Sequence, residues 1–213
     1  MPRAQPMPAD ERRAALVAAT EPLLELHGRN VSTRQIAEAA GIAEGTIFRV
    51  FPTKEALIDA VIADAFDVQI TCDAIARVEA GLDLESRLVA VADIIQLRLR
   101  RVFALFHSLT LTQSPEPREA FHTKVRQDNA ALNTAIAAVI DPDRDQLTVD
   151  PDAAASLLRT LTFSATHPIL SDQRHSSPEQ IVGVLLHGII KPSVCCATSD
   201  RSDVPLSLEG FPC

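Results

Sequence analysis

The stretch from Ser32 to Lys54, STRQIAEAAGIAEGTIFRVFPTK, constrains the fold of this chain more than any other. It reads as two short helices joined by a tight turn. Ser32 stands where it can cap the first, and Gln35 three residues later completes a capping box, so that two backbone N–H groups find partners. Ile36, Ala37 and Ala40 form the apolar face, leaving Arg34, Gln35 and Glu38 outside. Gly41 falls where a helix C-terminus favours a residue that tolerates positive φ, and Ile42 then returns to the core. The second helix is expected from Ala43 to Phe51, with Ile47, Val50 and Phe51 inward and Pro52 ending it. Such a pair makes a helix-turn-helix, whose second helix fits the major groove of B-DNA.

The order of residue types says more than the spacing. Ser-Thr-Arg-x-Ile-Ala-x-x-Ala-Gly-Ile, then Gly45-Thr46-Ile47-Phe48, then Phe51 and Thr53-Lys54-Glu55-x-Leu57, resembles the TetR family of bacterial transcriptional repressors. The resemblance spans roughly Leu16 to Leu57. It departs at three positions. Ala43 stands where a capping Ser is common, at a cost of about 1 kcal/mol to the recognition helix. Phe48 replaces a common Tyr and lacks the hydroxyl that reaches a phosphate, and Val50 replaces a His or Tyr.

Charge bears on partners through its distribution. The chain carries a net charge of −8, yet up to Glu55 seven basic residues balance seven acidic ones, and Ala56 onward has thirteen against twenty-one. A neutral head on an acidic body binds DNA only through a local basic face, with modest non-specific affinity. The chain is 46% hydrophobic, has no Trp or Tyr, and is rich in Ala and Leu without strand-like alternation, so an all-α fold is expected. There is no apolar leader and no bilayer-spanning stretch, which points to the cytoplasm. Cys72, Cys195, Cys196 and Cys213 form no disulfide framework, and reduced thiols are expected.

Residues 1–9 read as a disordered arm. A first helix runs from Asp10 to His27, closed by Gly28, with Leu16, Val17, Leu23, Leu24 and His27 inward and a kink expected at Pro22. Thr53 caps a long helix to about Val78, with a buried stripe of Leu57, Val61, Phe66 and Ile70. A second long pattern spans Leu84 to Thr112 and carries Arg98, Arg100 and Arg101, readable as a solvated or acid-paired face or as an anion site. Pro115 and Pro117 mark a loop. Further helices follow at Arg118–Ile140, Pro151–His167 and Pro178–Ile190. The last is apolar nearly all round and needs cover on both sides, for which a second subunit is the natural source. From Lys191 the composition reads as a disordered tail.

Other chemistry is thinly supported. Glu119 and His122 have the Glu-x-x-His spacing of di-iron bundles, but no second such pair exists. No phosphate loop or nucleophile elbow is present. No catalytic residue, metal or cofactor is therefore assigned. Ser156, Thr160, Phe163 and His167 share one side of their helix, opposite Ala154, Leu157, Leu158, Leu161 and Ala165, a pattern readable as ordinary core with satisfied polar groups or as a helix between a ligand cavity and a dimer seam.

The expectation is thus a three-helix helix-turn-helix domain over residues 10–55, followed by a helical effector-binding and dimerisation domain over 56–190. DNA contacts are assigned to Thr33, Arg34, Glu44, Gly45, Thr46, Phe48, Arg49 and Lys54. Phe103, Phe106, His107, Phe121, Phe163 and His167 are assigned to a mostly apolar effector cavity, and Leu157, Leu161, Ile181, Leu185 and Ile189 to a two-fold homodimer seam. The resemblance implies a repressor released from a palindromic double-stranded operator by a small molecule. The rival is a small-molecule-binding or metal-dependent helical enzyme without DNA function.

Overall fold

The computed structural model describes residues 8–109, 118–171 and 176–188, with the backbone alone at positions 118, 120 and 121. The described residues form nine α-helices and two 3₁₀ turns, without strands: α1 (Ala9–His27), α2 (Thr33–Ala39), α3 (Glu44–Ile47), α4 (Lys54–Phe66), α5 (Val68–Ala76), α6 (Leu84–Ser108), α7 (Arg118–Ile140), α8 (Pro151–Thr166) and α9 (Pro178–His187). The expected arm, the Pro115–Pro117 loop, Ile189 and the tail lie outside the described residues, as does the Phe121 side chain.

Local capping sets most of the starts. Ser32, Thr53, Asp83, Asp150 and Ser177 each accept a backbone N–H from three residues on, satisfying a donor the helix itself leaves unpaired. Gly28 and Gly41 take φ of +55° and +65° at the ends of α1 and α2. Three expectations need correction. The long helix after Thr53 breaks at Asp67, whose backbone turns extended and whose carboxylate accepts from the Gln69 N–H, capping a new helix. The break shifts the register of α5, so Ile70 is 44% exposed while Thr71, Cys72 and Ile75 are buried. His27 points to solvent, and Thr20 takes the inner position on α1, its hydroxyl donating to the Leu16 carbonyl. On α8 the inner face is Ala154, Ala155, Leu158, Thr162 and Thr166; both threonine hydroxyls donate to the carbonyl four residues back, which makes their burial tolerable.

Burial divides the chain into two cores. The head core collects Leu16, Leu24, Val31, Ile36, Ile47, Phe51, Leu57, Ile58 and Val61, and it extends through Ala65, well beyond Glu55. The body core collects Ile75, Leu88, Val91, Ile95, Ile136, Leu158 and Val182 from α5 to α9. Cys72 lies in that core, where burial pushes its thiol up. One element serves both cores. Helix α6 starts in the body and sends Leu105 and Leu109 into the head core.

The three arginines of α6 diverge because neighbouring residues on a helix are turned by about 100°. Arg98 Nη2 reaches the Phe66 carbonyl at 3.4 Å, Arg100 turns to the opposite side, and Arg101 reaches the head. Arg101 meets Glu21 of α1 through two bonds of 2.6 and 2.8 Å, and Asp64 of α4 at 3.2 Å. The Glu21 bond holds its guanidinium above the ordinary arginine range. Beside this bridge Phe66 and Phe106 meet edge to face, centroids 5.3 Å apart. The head is therefore joined to the body by apolar contact and a three-way ion bridge.

Candidate nucleic-acid interface and ligand cleft

The helix-turn-helix is built largely from local bonds. Gln35 N–H donates to Ser32 Oγ at 3.2 Å and Ser32 N–H donates to Gln35 Oε1 at 2.9 Å, which completes the expected capping box. The second helix is shorter than expected. Regular α-structure covers only Glu44–Ile47, and residues 48–50 continue as turns. Ala43 supplies no side-chain cap, and from Thr46 onward the bonds include three-residue steps, Arg49 to Thr46 and Val50 to Ile47. Ile47 and Phe51 still anchor the segment, fully buried, and the Arg13 guanidinium lies 4.4 Å over the Phe51 ring. That cation–π contact ties α1 to the far end of the reading segment.

The DNA-contact candidates lie on or near the surface. Arg34, Glu44, Gly45 and Arg49 are exposed, Thr33, Thr46 and Lys54 half-buried, and Phe48 is 48% exposed. Three of them have partners within the protein that the sequence did not announce. Thr33 Oγ1 donates to the Glu44 carboxylate, bracing the first helix of the motif against the second. Lys54 Nζ donates to the carbonyls of Arg29 at 3.1 Å and Val31 at 3.2 Å, closing the turn between α1 and α2. An ammonium has three donors, so one remains for a phosphate.

Residues 16–61 match the family model of the bacterial regulatory proteins, tetR family. The head is a tetR-family DNA-binding domain. With that head the chain is a DNA-binding transcriptional regulator. The fold of most of the chain is likewise similar to solved TetR-type structures. A TetR transcriptional regulator from Streptomyces coelicolor is 21% identical, with a TM-score of 0.55 over 83% of this chain and 97% of that one. A TetR/AcrR-family regulator from Thermobifida fusca is 22% identical, with a TM-score of 0.53 over 85% and 100%. GusR of Salmonella enterica is 22% identical, with a TM-score of 0.52 over 84% and 94%.

Behind the tetR-family head, the body holds a cleft of about 510 Å³ between α6, the end of α8 with Pro168 beyond it, and Ser176 just ahead of α9. Phe103 and His107 line it, as does Arg100. Phe103, Phe163 and His167 form one aromatic cluster, with centroids 5.0 to 5.7 Å apart. His167 Nδ1 accepts from the N–H of Ile169 and of Leu170, so its neutral ring carries the proton on Nε2. Phe106 is not part of this group. It turns toward Phe66 at the joint, because three residues of helical rotation aim it about 60° away from Phe103, while His107 one residue on still faces the cleft. Gln96 was missed in the sequence: it is fully buried, and its partner Ser176 lies 80 residues away, a pairing without local trace; Arg100 was read there only as one of three clustered arginines.

Among the seam candidates, Leu157 is 49% exposed, and Leu161 and Leu185 are partly buried against the body core. Ile181 is a correction, since the chain's own core buries it. Val184, 44% exposed, presents the outward side of α9 instead. Glu119 and His122 are exposed on α7, and no group of three or more metal-ligating side chains occurs among the described residues. No helix of the described residues is long and apolar enough to cross a membrane.

Proposed function

We propose that the protein is a homodimeric repressor whose operator affinity falls when a small molecule enters the α6–α8 cleft. The observation that supports this reading is the double membership of α6. Phe103 and His107 line the cleft, while Leu105 and Leu109, on the same few turns, are packed in the head core. A ligand that shifts α6 acts on the head without an intermediary, and Arg101 carries the same movement to α1 and α4. Differential affinity of the ligand for the two arrangements is what drives such a switch. Operator fragments selected from genomic DNA, titrated in gel shifts at several salt concentrations, test the DNA half of the reading. Binding that ignores sequence and salt would sink it.

Glu44 separates two ways of reading DNA. As an acceptor for a cytosine amino group it sets one base pair per half-site; as Thr33's brace it sets only the angle of the motif. Under base readout, Glu44→Gln relaxes discrimination at one position by about 1–3 kcal/mol. Lys54→Ala is the reference, weakening all sequences alike and flattening the salt slope by about one unit per site. An unchanged base preference in the Glu44→Gln protein leaves only the brace.

The second copy is proposed to lie against α8 and α9. Leu157 and Val184 are large apolar side chains left half in water on these two helices, and a two-fold seam would cover both. Leu157→Arg places a charge in that seam and is expected to give monomers by sedimentation, with weakened operator binding. A dimer persisting at micromolar concentration would move the seam elsewhere.

A further inference from the structure

The α6–α8 cleft differs in charge from the body around it. From Ala56 onward the chain has twenty-one acidic residues against thirteen basic ones, yet no carboxylate lines the cleft among the described residues. Arg100 brings a permanent positive charge to its wall. We propose, resting on the effector reading above, that this cleft takes an organic anion with an apolar body, its carboxylate seated on Arg100 and its hydrocarbon laid across Phe103 and Ala104.

The polar groups of the wall support this assignment by what is already engaged. The buried Gln96 amide donates through Nε2 to the Ser176 carbonyl at 2.6 Å, while its Oε1 accepts from Arg100 Nη2 at 3.2 Å. The Thr166 hydroxyl donates to the Thr162 carbonyl at 2.7 Å. A neutral polar ligand therefore competes with bonds these groups already make within the protein. Arg100 differs, because a guanidinium has five N–H donors and the Gln96 bond takes one. That bond also fixes the plane of the fork, which suits a carboxylate held by two parallel bonds. Phe103 is held in turn by Phe163 at 5.7 Å and His167 at 5.0 Å, so the apolar wall beside the charge is braced. At about 510 Å³ the cleft holds a ligand of modest size.

Three probes with one skeleton separate charge from hydrophobicity: 4-phenylbutyrate, 4-phenylbutanol and 4-phenylbutylamine, each titrated calorimetrically into the full-length protein. The acid is expected to bind roughly tenfold tighter than the alcohol, the scale of a charge-assisted hydrogen bond, with the amine weakest. Arg100 is exposed, so Arg100→Gln should fold normally; it is expected to bring the acid down to the affinity of the alcohol. Phe103→Ala should weaken acid and alcohol together and preserve their ratio. The proposal is overturned by an acid no tighter than the alcohol, by an amine that binds best, by no binding of any probe, or by a preference that survives Arg100→Gln. Operator release is read separately in gel shifts. Acid binding that leaves DNA bound overturns the effector role and keeps the anion site, whereas equal release by all three probes overturns the anion preference and keeps the effector role.

Discussion

Gly28→Ala is expected to destabilise the protein by about 2–6 kcal/mol, from backbone strain of about 1–3 kcal/mol plus overpacking of similar size. Gly28 closes α1 with φ +55° and ψ −144°, a conformation essentially reserved for glycine. A methyl group built there would stand 2.5 Å from the Ser108 carbonyl oxygen at the end of α6. That oxygen belongs to backbone, so no rotamer change relieves the clash. The end of α6 must retreat from the head, and Leu105 and Leu109 with it. The check is urea unfolding followed by far-UV circular dichroism, since the chain has no Trp or Tyr to report by fluorescence. Gly41→Ala separates the two causes, because Gly41 has φ +65° but nothing within 4 Å of an added methyl. If both variants lose equal stability, the Ser108 contact is not a constraint on the joint.

Leu105→Ala is expected to cost about 2–5 kcal/mol, the usual range for emptying a fully buried leucine site. Its distinguishing effect should be on coupling. Leu105 comes from the helix that lines the cleft, yet it is fully buried in the head core. Removing it loosens the head without touching a cleft residue, so ligand affinity should hold while ligand-dependent release of DNA is blunted. Leu88→Ala deletes the same group from the body end of α6, where the side chain is 2% exposed. It should lower stability by a comparable amount and leave release intact. Equal blunting in both variants would mean that general stability, not the joint, sets the response.

The ion bridge at the same joint is a weaker tie. Arg101 and Asp64 keep 30% and 41% of their side-chain surface in solvent, and pairs that open to water contribute little to stability. Its value lies in direction, since Arg101 binds α1 and α4 together and so holds them in one orientation on α6. Apolar burial at Leu105 and Leu109 provides the strength.

What the sequence determined by itself were features whose partners lie within a few residues. Ser32 with Gln35, Thr53 with the Ala56 N–H and Gly41 at positive φ each complete a bond or a turn locally, so the head could be read before any packing was known. Helix α7 begins and ends where the sequence placed it, at Arg118 and Ile140, after the prolines at 115 and 117. Local competition already blurred some of this. Asp67 could continue the helix or cap a new one, and the choice moved Ile70 from core to solvent. The tertiary structure alone decided which surfaces meet. Arg98, Arg100 and Arg101 are one cluster in sequence and three environments in space, because each is aimed by helical rotation at a different neighbour. Glu21 and Ser176 each lie 80 residues from the α6 side chain they meet, and no spacing rule reaches so far. A helix-turn-helix is specified by short-range hydrogen bonds, whereas a joint between head and body exists only after apolar surfaces distant in sequence have excluded water together.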